Sequence, residues 1–559
     1  MNFSAQNLLS LVIFLPLLFA ALVAFLPSAE RGQIRGLALL GTLVDLGLGA
    51  ALYLSFDPKG PELQLETRVR WLDELGISFH LGVDGLAVSL ILLTAFLGPL
   101  VVLASTYVTD RVKELHLSLL VLQTAMMGAL ASLDLIVFYV FWEAMLIPMY
   151  LLIGVWGSEQ RQMAAVKFFL YTLAGSLLML VAILALYFLA QPAGSRSFDY
   201  AEIYNALIAA NRELGACSGP GGCGALSPLA LSLRSYGPLL FFAFALAFAI
   251  KVPMFPVHTW LPDAHVQAPV AGSIILAGVM LKMGTFGFWR FAVPLFPSLA
   301  RETRSLFAAL AVVGIVYGAL MCLAQRDVKK LIAYSSVSHL GFCTLGMFAF
   351  QVESATGAAY QMLNHGISTG ALFLLFGMLY ERRHTRLIGD FGGIARVMPM
   401  FAAVFLAITF SSVAVPGTNG FVGEFLVLLG TFKSSLPAWY GVAAATGVIL
   451  GAAYMLWMVQ RVFFGPLTHR ENAHLRDLGL REMATALPLV AVALWMGLYP
   501  QPFLDRLRPA AERYVARLNV GTPGADPGDE AVRMVALPLP AAGEKAPQKP
   551  QPPQVSALP

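Results

Sequence analysis

Apolar stretches long enough to cross a lipid bilayer as helix recur along almost the whole of this 559-residue chain. A hydrocarbon core takes about 20 residues of helix. By that measure about fourteen segments qualify, starting near residues 6, 36, 84, 113, 133, 163, 236, 270, 304, 330, 356, 398, 438 and 483. Within lipid only helices and closed barrels satisfy every backbone donor and acceptor, and runs this long and continuous fit helices. The expected fold class is therefore an all-α polytopic membrane protein. Composition agrees: 58% of the residues are hydrophobic and 12% are charged, where a soluble domain carries about 25% charged residues. A net charge of +4 dispersed over so long a chain gives no basis for nucleic acid as a partner.

The first run, residues 8–27, has no Lys or Arg before it and has Arg31 and Arg35 after it. That is the reverse of a signal peptide, so it reads as a retained span. An even number of spans puts both ends on one side. Loops on the opposite side collect Arg31, Arg35, Arg111, Lys113, Arg161, Arg326, Lys329, Lys330, Arg382 and Arg383, among others. Positive loops stay in the cytoplasm, so both termini are expected on the outer, periplasmic side. Cys322 and Cys343 fall inside apolar spans, where a small buried thiol is the plain reading. Cys217 and Cys223 flank a Gly/Pro turn in an outward loop, where a disulfide and two free thiols are both open.

Two spans are interrupted by their own sequence. The seventh carries Lys251-Val-Pro-Met-Phe-Pro256 and the twelfth Val415-Pro-Gly-Thr-Asn-Gly420. Pro removes a backbone donor, so unpaired backbone groups arise at membrane depth, where only a cavity or packed protein tolerates them. Interrupted spans in corresponding places of two halves point to inverted repeats around an ion path; the alternative is two ordinary proline kinks. The division is residues 1–110 for three N-terminal spans, 111–294 for a first five-helix repeat (spans four to eight), and 304–466 for a second (spans nine to thirteen). Residues 467–503 then hold a loop and the last span, and 504–559 a polar, Pro/Ala-rich tail, disordered over 520–559. The match between halves is architectural, since aligning Pro253 on Pro416 sets Leu261 opposite Glu424.

Four charged residues lie deep inside apolar segments: Glu143, Lys251, Lys282 and Glu424. Each costs roughly 2.5–3.5 kcal/mol at the centre of a spanning helix unless it is paired, so each is a functional candidate. Glu143 is the candidate partner of Lys251, either as a switchable pair or as a structural one. Lys282 has Gly278 and Gly284 beside it, which let a neighbouring helix come close. Glu424 is read as a proton site just past the second break, or as a carboxylate that only caps the broken helix. His339 and His365 sit in uncharged spans; each suits proton relay or is simply bonded to the next helix. Moving one charge against about 150–200 mV costs about 3.5–4.6 kcal/mol. A buried lysine whose carboxylate approaches and withdraws changes its hold on a proton by a similar amount. His258, His265 and Asp263 lack a cysteine or carboxylate cluster around them, so no metal is expected.

Five segments together carry a resemblance. They are Phe141-Trp-Glu-Ala-Met-Leu-Ile-Pro-Met-Tyr150, Lys251-Val-Pro-Met-Phe-Pro-Val-His-Thr-Trp-Leu-Pro-Asp-Ala-His265, Tyr334-Ser-Ser-Val-Ser-His339, Leu363-Asn-His-Gly-Ile-Ser-Thr-Gly370 and Val415-Pro-Gly-Thr-Asn-Gly-Phe-Val-Gly-Glu424. In this order they resemble the large antiporter-like membrane subunits of respiratory complex I, the proton-pumping NADH:quinone oxidoreductase, and among these the subunit M or chain 4 type. The resemblance covers residues 80–500. It implies about fourteen transmembrane helices, two inverted five-helix repeats each with one discontinuous helix, and a buried Glu/Lys/His chain that carries protons along the membrane midplane. Glu143 and Lys251 become the first-half pair, Lys282 the central lysine, His339 and His365 the bridging relay, and Glu424 the exit site.

It further implies a bacterial inner membrane location, no cofactor in this chain, and partners among the other complex I membrane subunits, including neighbouring antiporter-like ones. Redox chemistry would lie elsewhere in the complex, since no sequence here resembles a nucleotide, flavin or iron-sulfur site. The competing readings are a subunit of a multisubunit sodium/proton antiporter or membrane-bound hydrogenase, and a stand-alone solute transporter. The chain-5 relative carries a long lateral helix that residues 504–559 are too polar and Pro-rich to form. The Cys217–Cys223 loop and the tail depart from the pattern, so nothing is inferred for them.

Overall fold

The computed structural model describes residues 5–191, 196–217, 226–522, 525–528 and 532–535. Its helices begin with α1 Ala5–Phe25, α2 Arg31–Ser55, α3 Gly85–Ala104, α4 Val112–Ala131, α5 Leu135–Trp156 and α6 Arg161–Leu189. There follow α7 Tyr200–Cys217, α8 Pro228–Lys251, α9 Trp260–Gln267 and α10 Val270–Leu295. The second half holds α11 Arg304–Leu323, α12 Val328–Phe348, α13 Val352–Arg383, α14 Pro399–Ser412, α15 Asn419–Lys433, α16 Trp439–Phe463, α17 Leu480–Leu498 and α18 Gln501–Leu518.

Thirteen of these are long and apolar enough to cross a membrane. The twelfth expected span is instead two shorter helices, α14 and α15, split at the Pro-Gly segment. Short polar side chains set where the spans begin. Asp84 accepts from the Ala87 amide at 2.7 Å, Asp134 from Ile136 at 2.9 Å, and Asp327 from Lys330 at 3.0 Å, each filling an orphan donor of a helix start.

At the centre stands α13, 32 residues long and buried along its apolar stretch. A helix that is apolar all round has nowhere stable to lie except inside the bundle. It touches α3, α10, α12, α14, α15, α17 and α18, so whatever side chains it carries are held from several directions.

One end of the bundle carries a cover built from segments expected to be loops and tail. Strands β1 Gln64–Leu72 and β2 Ile77–Val83 form an antiparallel hairpin turned at Gly76, whose φ of +66° suits glycine. Helix α7 fills part of the long loop before α8. Helix α18 corrects the expected polar tail from residue 504, because its polar residues occupy one face and Phe503, Leu507, Ala510, Ala511, Tyr514 and Leu518 are buried on the other. Counted without regard to face, those residues read as polar; wound at 3.6 residues per turn they make an amphipathic helix. Tyr514 stacks on Trp289 at 4.4 Å, and Arg517 pairs with Glu62.

Part of the segment expected to be disordered also docks. Arg212 on α7 pairs with Asp526 at 3.0 Å, and Tyr204 donates to the Val532 carbonyl at 3.0 Å. Residues 536–559, and Cys223 of the proposed bridge to Cys217, lie outside the described residues.

A clamp of charges fixes the hairpin to this end. The buried His80 imidazole contacts Asp199 at 2.6 Å and Glu66 at 3.0 Å, and Arg68 bonds Asp199 at 3.0 Å and Glu202 at 2.7 Å. Burial pushes His80 down, but the hydrogen bonds to Asp199 and Glu66 outweigh it and hold the imidazole above its usual value. A raised histidine stabilises fully below its unfolded value of about 6.5, and that contribution is lost as pH rises through the folded value. Hydrogen exchange over residues 64–83, corrected for intrinsic rates, is expected to lose protection with rising pH. His80→Gln should flatten that dependence; equal slopes in the two proteins would contradict the clamp.

Candidate functional site

The first break follows directly from Lys251, the last residue of α8. Its position at a helix C-terminus suits a cation, because unpaired carbonyls gather there. The chain turns over residues 252–259, and the Trp260 indole donates to the Ile250 carbonyl at 2.9 Å, satisfying one of those carbonyls. Gly284 of α10 lets the two segments meet: a Cβ there would fall 2.6 Å from the Val252 amide nitrogen and 2.7 Å from the Phe248 carbonyl oxygen.

Glu143 and Lys251 are near each other but form no ion pair. The Lys251 Nζ has no hydrogen-bond partner among the described residues and lies 4.9 Å from the centre of the Trp142 ring, a cation–π contact. Glu143 lies inside its span on α5, the residue partly buried, and its Oε1 is buried without a hydrogen-bond partner among the described residues. Successive residues of a helix face about 100° apart, and in α5 it is Trp142, not Glu143, that points to the interior.

Lys282 lies fully buried between two π-helical turns of α10, Leu276–Met280 and Phe288–Ala292. Such turns widen a helix locally and re-aim its side chains. Its Nζ donates to the Ala277 carbonyl and lies 2.6 Å from His365 Nδ1 on α13. That contact needs α10 and α13 close together, and two glycines provide it: a Cβ on Gly366 would meet the Gly278 carbonyl oxygen at 2.7 Å and Leu93 at 2.6 Å. When Lys282 is protonated it donates to Nδ1, and the ring proton of a neutral His365 then lies on Nε2.

His339 on α12 and Glu424 on α15 complete the line. His339 Nδ1 contacts Glu424 Oε1 at 2.9 Å, and Gln361 Nε2 donates to the same oxygen at 3.0 Å. Asn364 in turn donates to Gln361 Oε1 at 2.9 Å. The two imidazole rings are 5.9 Å apart, and neither Nε2 has a protein partner. Gly423 faces Gln361 and Asn364 so closely that a Cβ would fall 2.6 Å from each. At the second break, Ser411 donates to Asn419 Oδ1 and lies 2.6 Å from Ser368 Oγ on α13, which ties the interrupted α14–α15 segment to the central helix.

The structure thus brings Lys282, His365, His339 and Glu424 into one buried line and leaves Glu143 and Lys251 as a separate, looser group. Sequence reasoning missed Gln361, Asn364 and Ser368. Their spacing with His365, at i, i+3, i+4 and i+7, already marks one polar face of a helix. His265 is buried with its ring stacked on Phe373 at 4.4 Å, and neither of its nitrogens has a partner. No group of three or more His, Cys, Asp or Glu side chains arranged for a metal occurs among the described residues.

Residues 132–451 match the family described as NADH:quinone oxidoreductase/Mrp antiporter, TM. The chain is 45% identical over 520 residues to NADH-quinone oxidoreductase subunit M of Rhodobacter capsulatus, covering 91% of this chain and 96% of that protein. The chain belongs to this family. It is also 39% identical over 510 residues to NADH-ubiquinone oxidoreductase chain 4 of Marchantia polymorpha, covering 91% and 97%. A chain of respiratory complex I from Thermus thermophilus with bound NADH superposes with a TM-score of 0.79 at 34% identity, covering 91% of this chain and 99% of that one. The Mrp complex from Dietzia sp. DQ12-45-1b contains the same fold, with a TM-score of 0.75 at 21% identity over 94% and 99% of the two chains.

The close approach at Gly366 gives a direct test of the geometry. Gly366→Ala is expected to destabilise the protein by about 1–3 kcal/mol, the usual cost of overpacking, seen as a lowered Tm. Gly451→Ala, whose Cβ meets nothing within 4 Å, should leave Tm close to that of the native protein.

Proposed function

We propose that this chain is the M-type membrane subunit of an NADH:quinone oxidoreductase, translocating protons outward without redox chemistry of its own. The observation that carries the reading is the buried line from Lys282 through His365 and His339 to Glu424, at membrane depth and flanked by two broken helices. A proton on Lys282 passes to His365 across the 2.6 Å contact. The 5.9 Å between rings exceeds a direct hydrogen bond and is a spacing that one bridging water spans. His339 then hands the proton to Glu424 across 2.9 Å. Lys251, held over Trp142, and Glu143 form the controlling pair, whose approach or separation changes the field along the line.

Glu143 supports the presence of neighbours. A glutamate only partly buried on a surface otherwise suited to lipid is costly unless another protein covers it, and an adjoining antiporter-like membrane subunit fits that need. The Lys and Arg residues of the loops support an orientation with the α1 and α18 end on the outer side of the membrane, taken here as a bacterial inner membrane. Quinone reduction elsewhere in the complex supplies the driving force in this reading.

In reconstituted complex, Lys282→Ala is expected to lower the protons moved per NADH oxidised by the whole share that this chain carries, while assembly persists. A native proton yield in this variant would refute the central role of Lys282. Lys251→Ala and Glu143→Ala should each sharply reduce coupled pumping in vesicles, and full pumping by both would remove the controlling pair.

A further inference from the structure

A second buried carboxyl lies outside the line described above. Asp45 stands 14 residues after Arg31 and 10 before Ser55 in α2, the single charged residue between Arg35 and Ser55. It is fully buried. Gln123 Nε2 of α4 donates to its Oδ2 at 2.6 Å, and its Oδ1 has no partner among the described residues.

Three helices build this spot. Gly98 on α3 leaves the notch in which the Gln123 amide lies; a Cβ there would fall 2.7 Å from Gln123 Oε1 and 3.0 Å from Nε2. On α2 itself, Gly41 and Gly49 lie one turn to either side of Asp45. A Cβ at Gly41 would strike the Phe19 ring at 2.5 Å, and one at Gly49 would meet Ala95 at 3.0 Å. The carboxyl is therefore on the tightly packed face of α2.

Among the described residues no charge compensates it. Helix α3 carries no charged residue at all. On α4 the only titratable groups are Lys113, Glu114 and His116, all within its first turns, and His116 is occupied by the Val112 carbonyl at 2.7 Å and Ser105 Oγ at 3.3 Å. One neutral amide donor does not offset an ionised carboxylate in apolar surroundings, whereas a neutral acid needs far less compensation. The free Oδ1 is where the proton would reside.

We propose that Asp45 is a proton-binding site: a carboxylic acid held by Gln123 in the notch at Gly98, where α2, α3 and α4 meet and apart from the Lys282–Glu424 line. Its proton keeps the α2–α4 seam closed, because an ionised Asp45 would draw water or a cation between the helices. The site stands independently of the functional reading above.

Infrared spectroscopy of the intact purified complex tests it. At about pH 7, where exposed carboxyls are ionised, the native-minus-Asp45→Asn difference spectrum is expected to contain a protonated-carboxyl carbonyl band that moves down on exchange into D2O. A carboxylate band in that difference, with no carbonyl band, would overturn the proposal. Gln123→Leu, which keeps Asp45, serves if Asp45→Asn fails to assemble. It should shift the same band to higher frequency by removing its hydrogen bond, and an unshifted spectrum would equally overturn the assignment.

Discussion

A lipid interior offers no water to a backbone carbonyl, an amide or a charge, and every notable feature of this protein answers that constraint. Where α8 and α14 stop at membrane depth, the exposed ends are taken up at once: Trp260 reaches back to the Ile250 carbonyl, and Thr418 donates to the Val415 carbonyl at 2.7 Å. The charges follow the same rule. Lys282 is bonded to His365 and to a carbonyl of its own helix, and Glu424 receives both His339 and Gln361. Lys251 is the exception, supported by a helix C-terminus and an aromatic face.

Polar side chains reach one another at this depth only because backbones come unusually close. Gly278 with Gly366, Gly284 with Val252, and Gly423 with Gln361 and Asn364 are contacts that a single methyl group would separate. Helix α13 concentrates them. It presents Gln361, Asn364, His365 and Ser368 on successive turns and is gripped by α10, α12, α14 and α15 around them. Rigid surroundings of this kind keep hydrogen-bond lengths near 3 Å without water to compete, which favours proton transfer along a fixed line.

Much of this was legible in the sequence, though unevenly. The spans were, because about 20 consecutive apolar residues have few other solutions, and so were the two breaks, because Pro and Gly act on their own backbone. The charged residues stood out against their apolar neighbours. The hairpin at Gly76, the amphipathic α18 and the docking of Asp526 on Arg212 were not legible, since each depends on a partner far along the chain. Asp45 was legible as a lone charge between Arg35 and Ser55, but its burial against Gln123 depends on α4 and was not.

The sequence by itself determined that the chain is a bundle of membrane helices, where two of them break, and which buried charges invite a functional reading. These follow from the local cost of placing each residue in lipid. Tertiary structure alone decided that Lys282 joins His365, that His339 joins Glu424, and that Glu143 and Lys251 stand apart without an ion pair. Those outcomes turn on gaps of a few ångströms between helices distant in sequence, set by glycine contacts and by the face that α5 turns inward. Such gaps are properties of packing, and no single segment contains them.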